Sequence, residues 1–143
     1  MLMVFDTIFF MVMTDENLIC CDGVYENLYF CTMYSIVKTF EISAAHSLRL
    51  SYPSKCEELH GHNWVIRVYA RARELNRDGM VVDFTHVKEM IQERLDHRNL
   101  NDVFPEMNTT AENLARWICE QIPEAYKVMV QESENNVAYY EKD

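Results

Sequence analysis

The chain has 143 residues, 49% of them apolar and 25% charged, which suits one soluble globular domain with little room for a second. A net charge of −10 excludes the basic stripe that nucleic-acid binding needs, so no nucleic-acid partner is expected. Five cysteines at irregular spacings do not make a disulfide framework, and they point to a reducing, cytoplasmic setting.

Residues 1–32 read differently from the rest. They hold Asp6, Asp15, Glu16, Asp22 and Glu26 with no Lys or Arg, so they carry −5 of the total −10. An anionic substrate therefore needs a local basic patch, for which Arg49, Lys55, Arg67, Arg71 and Arg73 are available. The apolar run over residues 1–13 lacks a positive flank and a cleavage site and is broken by Asp6, which argues against a signal peptide. Thr7–Met13 is too short to cross a bilayer, so no membrane partner is expected. The stretch is either a hairpin turning at Cys21-Asp22-Gly23 or an extension ahead of a domain that starts at Met33. We divide the sequence into an extension, 1–32, with no assigned function, and a domain, 33–143.

From Met33 the elements follow in order. Tyr34–Ala45 alternates as a strand, with Phe40, Ile42 and Ala44 on one face and His46 continuing that parity. A second strand, Asn63–Arg73, sets Trp64, Ile66, Val68, Ala70 and Ala72 against Arg67, Tyr69, Arg71 and Arg73. Asp78-Gly79 marks a turn before a short strand, Met80–Asp83. A helix over Thr85–Leu95 carries the stripe Val87, Met90, Ile91 and Leu95. A loop covers Arg98–Asn108. Thr109-Thr110-Ala111-Glu112 then fits a capping box opening a second helix, with Leu114, Trp117, Ile118 and Ile122 inward and Pro123 stopping it. Strands follow at Lys127–Glu132 and Val137–Lys142. The order ββααββ predicts an α+β fold, a four-stranded antiparallel sheet with two helices on one face.

Three histidines stand out. Counting back along the second strand gives His62 and His60 the parity of Trp64, so with His46 all three face inward if the strands extend that far. Three imidazoles make a zinc site with an open fourth position, the arrangement of a catalytic centre. Cys56, four residues before His60, is either a nearby nucleophile or base, or a fourth ligand that closes a structural, non-catalytic site. Asp96-His97 ends the first helix. Adjacent helical residues do not face each other, so the two can pair only if the backbone leaves the helix there. The alternative is a helix C-terminus favouring a cationic His97. Glu132 shares the parity of Val128 and Val130, so it needs a buried Arg, a ligand bearing N–H donors, or a turn outward at the strand end. His86, in the first helical turn, reads as a solvated residue.

Together, Ala44-Ala45-His46-Ser47-Leu48, Cys56-x3-His60-Gly61-His62-Asn63, Val82-Asp83-Phe84, Leu95-Asp96-His97-Arg98-Asn99-Leu100-Asn101, Thr110-Ala111-Glu112-Asn113-Leu114-Ala115 and Val130-Gln131-Glu132 resemble the 6-pyruvoyl-tetrahydropterin synthase family. The likeness spans Met33 to Tyr140. It is greatest to the bacterial branch, the 6-carboxy-5,6,7,8-tetrahydropterin synthases of queuosine biosynthesis. It implies the tunnelling fold, in which sheets of several subunits join into a barrel, and a homohexamer of two trimers with sites between subunits. It further implies zinc on His46, His60 and His62, Cys56 as thiolate base, and Asp96 with His97 as a proton-transfer pair. Glu132 would anchor the pterin, and Thr110 matches a second pterin-side position. Thr109 departs from the Pro common in the bacterial branch.

The implied substrate is 7,8-dihydroneopterin triphosphate, yielding 6-carboxy-5,6,7,8-tetrahydropterin, acetaldehyde and triphosphate. Pyruvoyl-type synthesis and folate-branch formation of 6-hydroxymethyl-dihydropterin are alternatives on the same site. A non-catalytic pterin-binding module is another. The three-residue gap between Cys56 and His60 fits the bacterial branch better than the longer animal-type gap, whereas Glu57 resembles the folate-pathway relatives.

Overall fold

The computed structural model of the protein describes residues 32–142. The readings made of residues 1–31 lie outside the described residues. Strand β1 (Tyr34–His46) turns back through a long connection containing a 3-10 turn at Lys55–Glu57 into β2 (His60–Ala72). Helix α1 (Phe84–Leu95) is followed by the two-residue β3 (Arg98–Asn99), the short α2 (Leu100–Val103) and α3 (Ala111–Gln121). Strands β4 (Ala125–Ser133) and β5 (Asn136–Glu141) complete the domain.

The sheet order is β3-β1-β2-β4-β5. The four long strands are antiparallel neighbours, as the ββααββ reading requires, and β3 adds a short parallel rung against Ala44 and Ala45. The sheet is therefore five-stranded, one more than expected. Period-two burial follows the predicted parity: Phe40, Ile42, Ala44, Trp64, Ile66 and Val68 are all buried. They meet Val87, Ile91 and Leu95 of α1 and Leu114, Ile118 and Ile122 to form one core. Burial of each such aliphatic residue stabilises the fold by about 1.5–3 kcal/mol. Among the described residues no helix covers the opposite face, where Val37, Val137 and Tyr139 are exposed. Among the described residues no helix is long and apolar enough to cross a membrane.

Three local expectations change. Met80–Asp83 is not a strand. The Asn76 carboxamide accepts from the backbone N–H groups of Asp78 and Met80, both at 3.0 Å, and closes the segment into a turn. Gly79 takes φ 77 in that turn, a conformation that glycine adopts freely. The helix that follows begins at Phe84, capped by Asp83 Oδ1 on the N–H of Thr85 at 2.7 Å. The loop over 98–108 contains β3 and α2, and the strand partner of β3 lies far away in sequence.

The α3 cap also moves. Thr110 is the N-cap, and its hydroxyl accepts from the N–H of Asn113, so the capping box expected from Thr109 and Glu112 does not form. Thr109 is instead fully buried. A capping box does occur at the 3-10 turn, where Ser54 and Glu57 satisfy each other's backbone donors beside Cys56.

Candidate metal centre

Extended geometry persists to the ends of both strands, and the register sets His46 directly across from His60, with His62 across from Ala44. All three rings share one face. Their centroids form a triangle with sides of 4.6, 5.0 and 5.3 Å. Trp64 lies beneath them, edge-on to His46 at 4.9 Å and to His62 at 5.1 Å. Its indole N–H donates to the carbonyl of Ala44 at 3.1 Å, which fixes the floor of the site.

Backbone carbonyls set the tautomers. His46 Nδ1 lies 2.7 Å from the carbonyl of Thr109, and His60 Nδ1 lies 2.7 Å from that of Glu58. A carbonyl only accepts, so both Nδ1 atoms carry the hydrogen, and in that tautomer Nε2 is the nitrogen left to bind a cation. His46 Nε2 is buried without a partner among the described residues. Burial also holds His46 below the ordinary histidine pKa, outweighing the Thr109 bond that favours the cation, and the rings of His60 and His62 add to the lowering. Glu132 completes the group, its Oε1 being 3.1 Å from His62 Nε2. That contact is close but lacks hydrogen-bond alignment, because His62 Nε2 likewise has no hydrogen-bond partner among the described residues.

The four donor atoms lie within 4.8 Å of one another. Lone pairs aimed at one point without donors between them are what a cation requires, and three imidazoles with a carboxylate suit zinc. The residues therefore fit the metal. Cys56 is not in this group. It is a free, partly buried thiol on the 3-10 turn.

The Asp96–His97 corner is built separately. Asp96 is the C-cap of α1, with extended backbone, and His97 takes φ 54, so the backbone does leave the helix there. His97 N–H donates to the carbonyl of Ser43 at 2.7 Å while Asp96 Oδ1 accepts from the N–H of Ser43 at 2.8 Å. That N–H holds the Asp96 carboxyl below the ordinary aspartate range, opposed by partial burial and aided by His97 and Gln92. The imidazole sits 3.9 Å from the carboxylate, beyond hydrogen-bond reach, and is 83% exposed. An open cleft of about 810 Å³ has both His62 and His97 in its lining. Gly61, also in that lining, is not there for lack of room: a Cβ would meet the Ala44 carbonyl at an ordinary 3.6 Å. Thr110, on the cap of α3, spends an acceptor lone pair and keeps its hydroxyl hydrogen.

A sequence model of the 6-pyruvoyl tetrahydropterin synthase family matches residues 35–143. The chain belongs to that family. A 6-carboxy-5,6,7,8-tetrahydropterin synthase of Synechocystis is 37% identical over 101 residues, covering 65% of this chain and 78% of that one. A 6-pyruvoyl tetrahydrobiopterin synthase of Dictyostelium discoideum is 36% identical over 98 residues, covering 60% and 73%. The structure of Caenorhabditis elegans 6-pyruvoyl tetrahydropterin synthase superposes with a TM-score of 0.66 at 26% identity, covering 81% of this chain and 100% of that one. The fold is that of the family, and the protein is one of its pterin synthases.

Sequence reasoning passed over two contributors. Thr109 reads in the sequence as a capping-box residue and a departure from Pro, whereas its carbonyl orients His46. Trp64 counted as core, and it also backs two of the rings. The inward parity of Trp64 was the available signal; nothing local pointed to Thr109.

Proposed function

We propose that the protein is a zinc-dependent 6-carboxy-5,6,7,8-tetrahydropterin synthase. It would convert 7,8-dihydroneopterin triphosphate to that product with release of acetaldehyde and triphosphate, in the cytoplasm, as a step of queuosine biosynthesis. The observation that carries this reading is the cluster of His46, His60 and His62, with the first two rings oriented by backbone carbonyls. His46, His60 and His62 hold the zinc. When bound, the metal supplies Lewis acidity toward the hydroxyls of the substrate's three-carbon tail.

The residues divide the remaining work. Cys56, as thiolate, removes a carbon-bound proton from that tail. Glu132 accepts from the amino and ring N–H groups of the pterin, and the Thr110 hydroxyl donates to the same ligand. His97, steadied by Asp96, returns protons as the carbon–carbon bond breaks. Its outward presentation supports a site completed between subunits, and the sheet face that no helix covers among the described residues supports closure of several sheets into a barrel within a homohexamer. Residues 33–143 form the catalytic domain on this reading, with 1–32 an extension.

Glu132 has a second reading, favoured by its 3.1 Å approach to His62 Nε2: it is itself a metal ligand in the resting protein. Glu132→Ala separates the two. Loss of pterin binding with zinc retained supports the anchor, and loss of zinc supports the ligand. Product chemistry is the decisive test of the function. Purified protein incubated with 7,8-dihydroneopterin triphosphate should yield 6-carboxytetrahydropterin and acetaldehyde by mass spectrometry. A pyruvoyl or 6-hydroxymethyl pterin would assign the protein to another branch.

A further inference from the structure

Three residues, Ser47-Leu48-Arg49, lead away from His46, and other segments take up their backbone groups in turn. Ser47 N–H donates to Asn101 Oδ1 at 2.7 Å, and Asn101 Nδ2 donates back to the Ser47 carbonyl at 2.8 Å. Leu48 N–H donates to the carbonyl of Cys56 at 2.8 Å. Arg49 N–H donates to Asn108 Oδ1 at 2.9 Å, and Asn108 Nδ2 returns a bond to the Arg49 carbonyl at 3.0 Å. A primary carboxamide offers the donor and acceptor of a peptide group, so each asparagine acts as a one-residue strand partner. The strap thus has bonds on every residue although it belongs to no sheet.

Both clamps come from one stretch, and that stretch is itself braced. Asn99 Oδ1 accepts from the N–H of Asn101 at 3.1 Å, and the carbonyl of Asn108 accepts from Asn113 Nδ2 on α3 at 2.8 Å. The residue after Asn108 is Thr109, whose carbonyl orients His46. The strap therefore has the buried histidine at one end, the Cys56 carbonyl bonded to its middle, and the brace of His46 next to its last clamp.

We propose that Asn101 and Asn108 are positioning residues of the metal centre. They fix the path of Ser47–Arg49 so that the His46 imidazole and the Cys56 thiol keep a set separation. Neither touches the metal or the substrate on this reading, which rests on the zinc assignment made above. An asparagine pair that only stabilised a loop would affect melting alone. One that sets ligand and thiol geometry must also affect metal affinity, the ligand field and thiol reactivity.

The test uses the full-length zinc protein and its cobalt-substituted form. Asn101→Asp and Asn108→Asp each keep the acceptor and replace the returning donor with a carboxylate oxygen facing a carbonyl. We expect zinc affinity in chelator competition to fall about 10-fold or more, as for loss of other groups that orient metal ligands. The visible bands of the cobalt protein should shift, and iodoacetamide labelling of Cys56, read by peptide mass spectrometry, should change in rate. Ile118→Val, in the α3 core, serves as the control with a comparable loss of Tm and none of these changes.

Clamp variants that lower Tm but match the wild type in affinity, cobalt spectrum and labelling overturn the proposal. Should the variants not fold, hydrogen exchange on the wild type decides. The amides of Ser47, Leu48 and Arg49 should be protected as a group and slow further on zinc loading, and rates typical of an open loop overturn the idea. Wild-type protein that binds no zinc overturns both this proposal and the zinc reading. Normal zinc binding with indifferent clamps overturns this one alone.

Discussion

The two ends of the candidate site are built in opposite ways. At the histidine end, rings are packed against Trp64 and oriented by backbone carbonyls, and His46 is sealed from solvent. At the Asp96–His97 corner, the backbone is pinned to Ser43 while the imidazole stands out in solvent on a left-handed residue. Among the described residues the first end is enclosed and the second is left open. Rigid presentation of an unsatisfied group is common to both. The histidine cluster aims its lone pairs inward at a point, whereas the corner aims an imidazole outward.

The comparison can be broken most severely at the inner end. His46→Ala removes a buried imidazole that the proposed function makes a zinc ligand, and leaves the Thr109 carbonyl without its partner. Zinc affinity should fall by more than about 100-fold, beyond the usual cost of losing a group that merely supports a ligand. Elemental analysis of the purified variant checks this, and full zinc occupancy would remove His46 from the site. Cys56→Ala sharpens the boundary of the metal group. Zinc should stay and turnover should fall by about 10²–10⁴-fold, the range for a lost general base. Joint loss of zinc and thiol would restore the closed, one-cysteine site.

The outer corner predicts a dissociation of stability from activity. A left-handed conformation costs a non-glycine residue about 1–2 kcal/mol, so His97→Gly should raise Tm while turnover falls about 100-fold. Calorimetry beside a turnover assay checks both, and a lower Tm would show that φ 54 is not strained.

The smallest effect concerns acid stability. Asp96 has its folded pKa lowered beneath the ordinary 3.8, chiefly by the Ser43 N–H. A depressed carboxylate adds stability that is complete above the unfolded value and is lost as pH falls through the folded one. Asp96→Asn should therefore be somewhat less stable at neutral pH, and its acid unfolding curve should be flatter below pH 3.8. Identical slopes for the two proteins would remove Asp96 from the acid transition.

Legibility in the sequence followed the range of the interactions. His46, His60 and His62 could be placed because strand parity is local and period two, and β2 continued back to His60 as that parity required. The helices were legible from their stripes, and their ends less so, since Thr109 and Thr110 both look like caps and only packing decides. The β3 rung, the asparagine clamps and the carbonyl behind His46 were not legible. They join residues 54 to 63 positions apart, and an asparagine carries no mark of which distant backbone it will bind. Glu132 falls between these cases: parity showed that it points inward, but not that it would stop beside His62.

Trp64 gives the centre an optical readout of its own. The sequence has only two tryptophans, and Trp64 alone touches the histidine rings, while Trp117 sits between Phe104 and the Arg94 guanidinium. Indole emission responds to the charge and freedom of its neighbours. Filling the centre should therefore alter the light from one tryptophan and leave the other as a steady background. Metal uptake could then be followed in unlabelled protein, in real time, by the residue that forms the floor of the site.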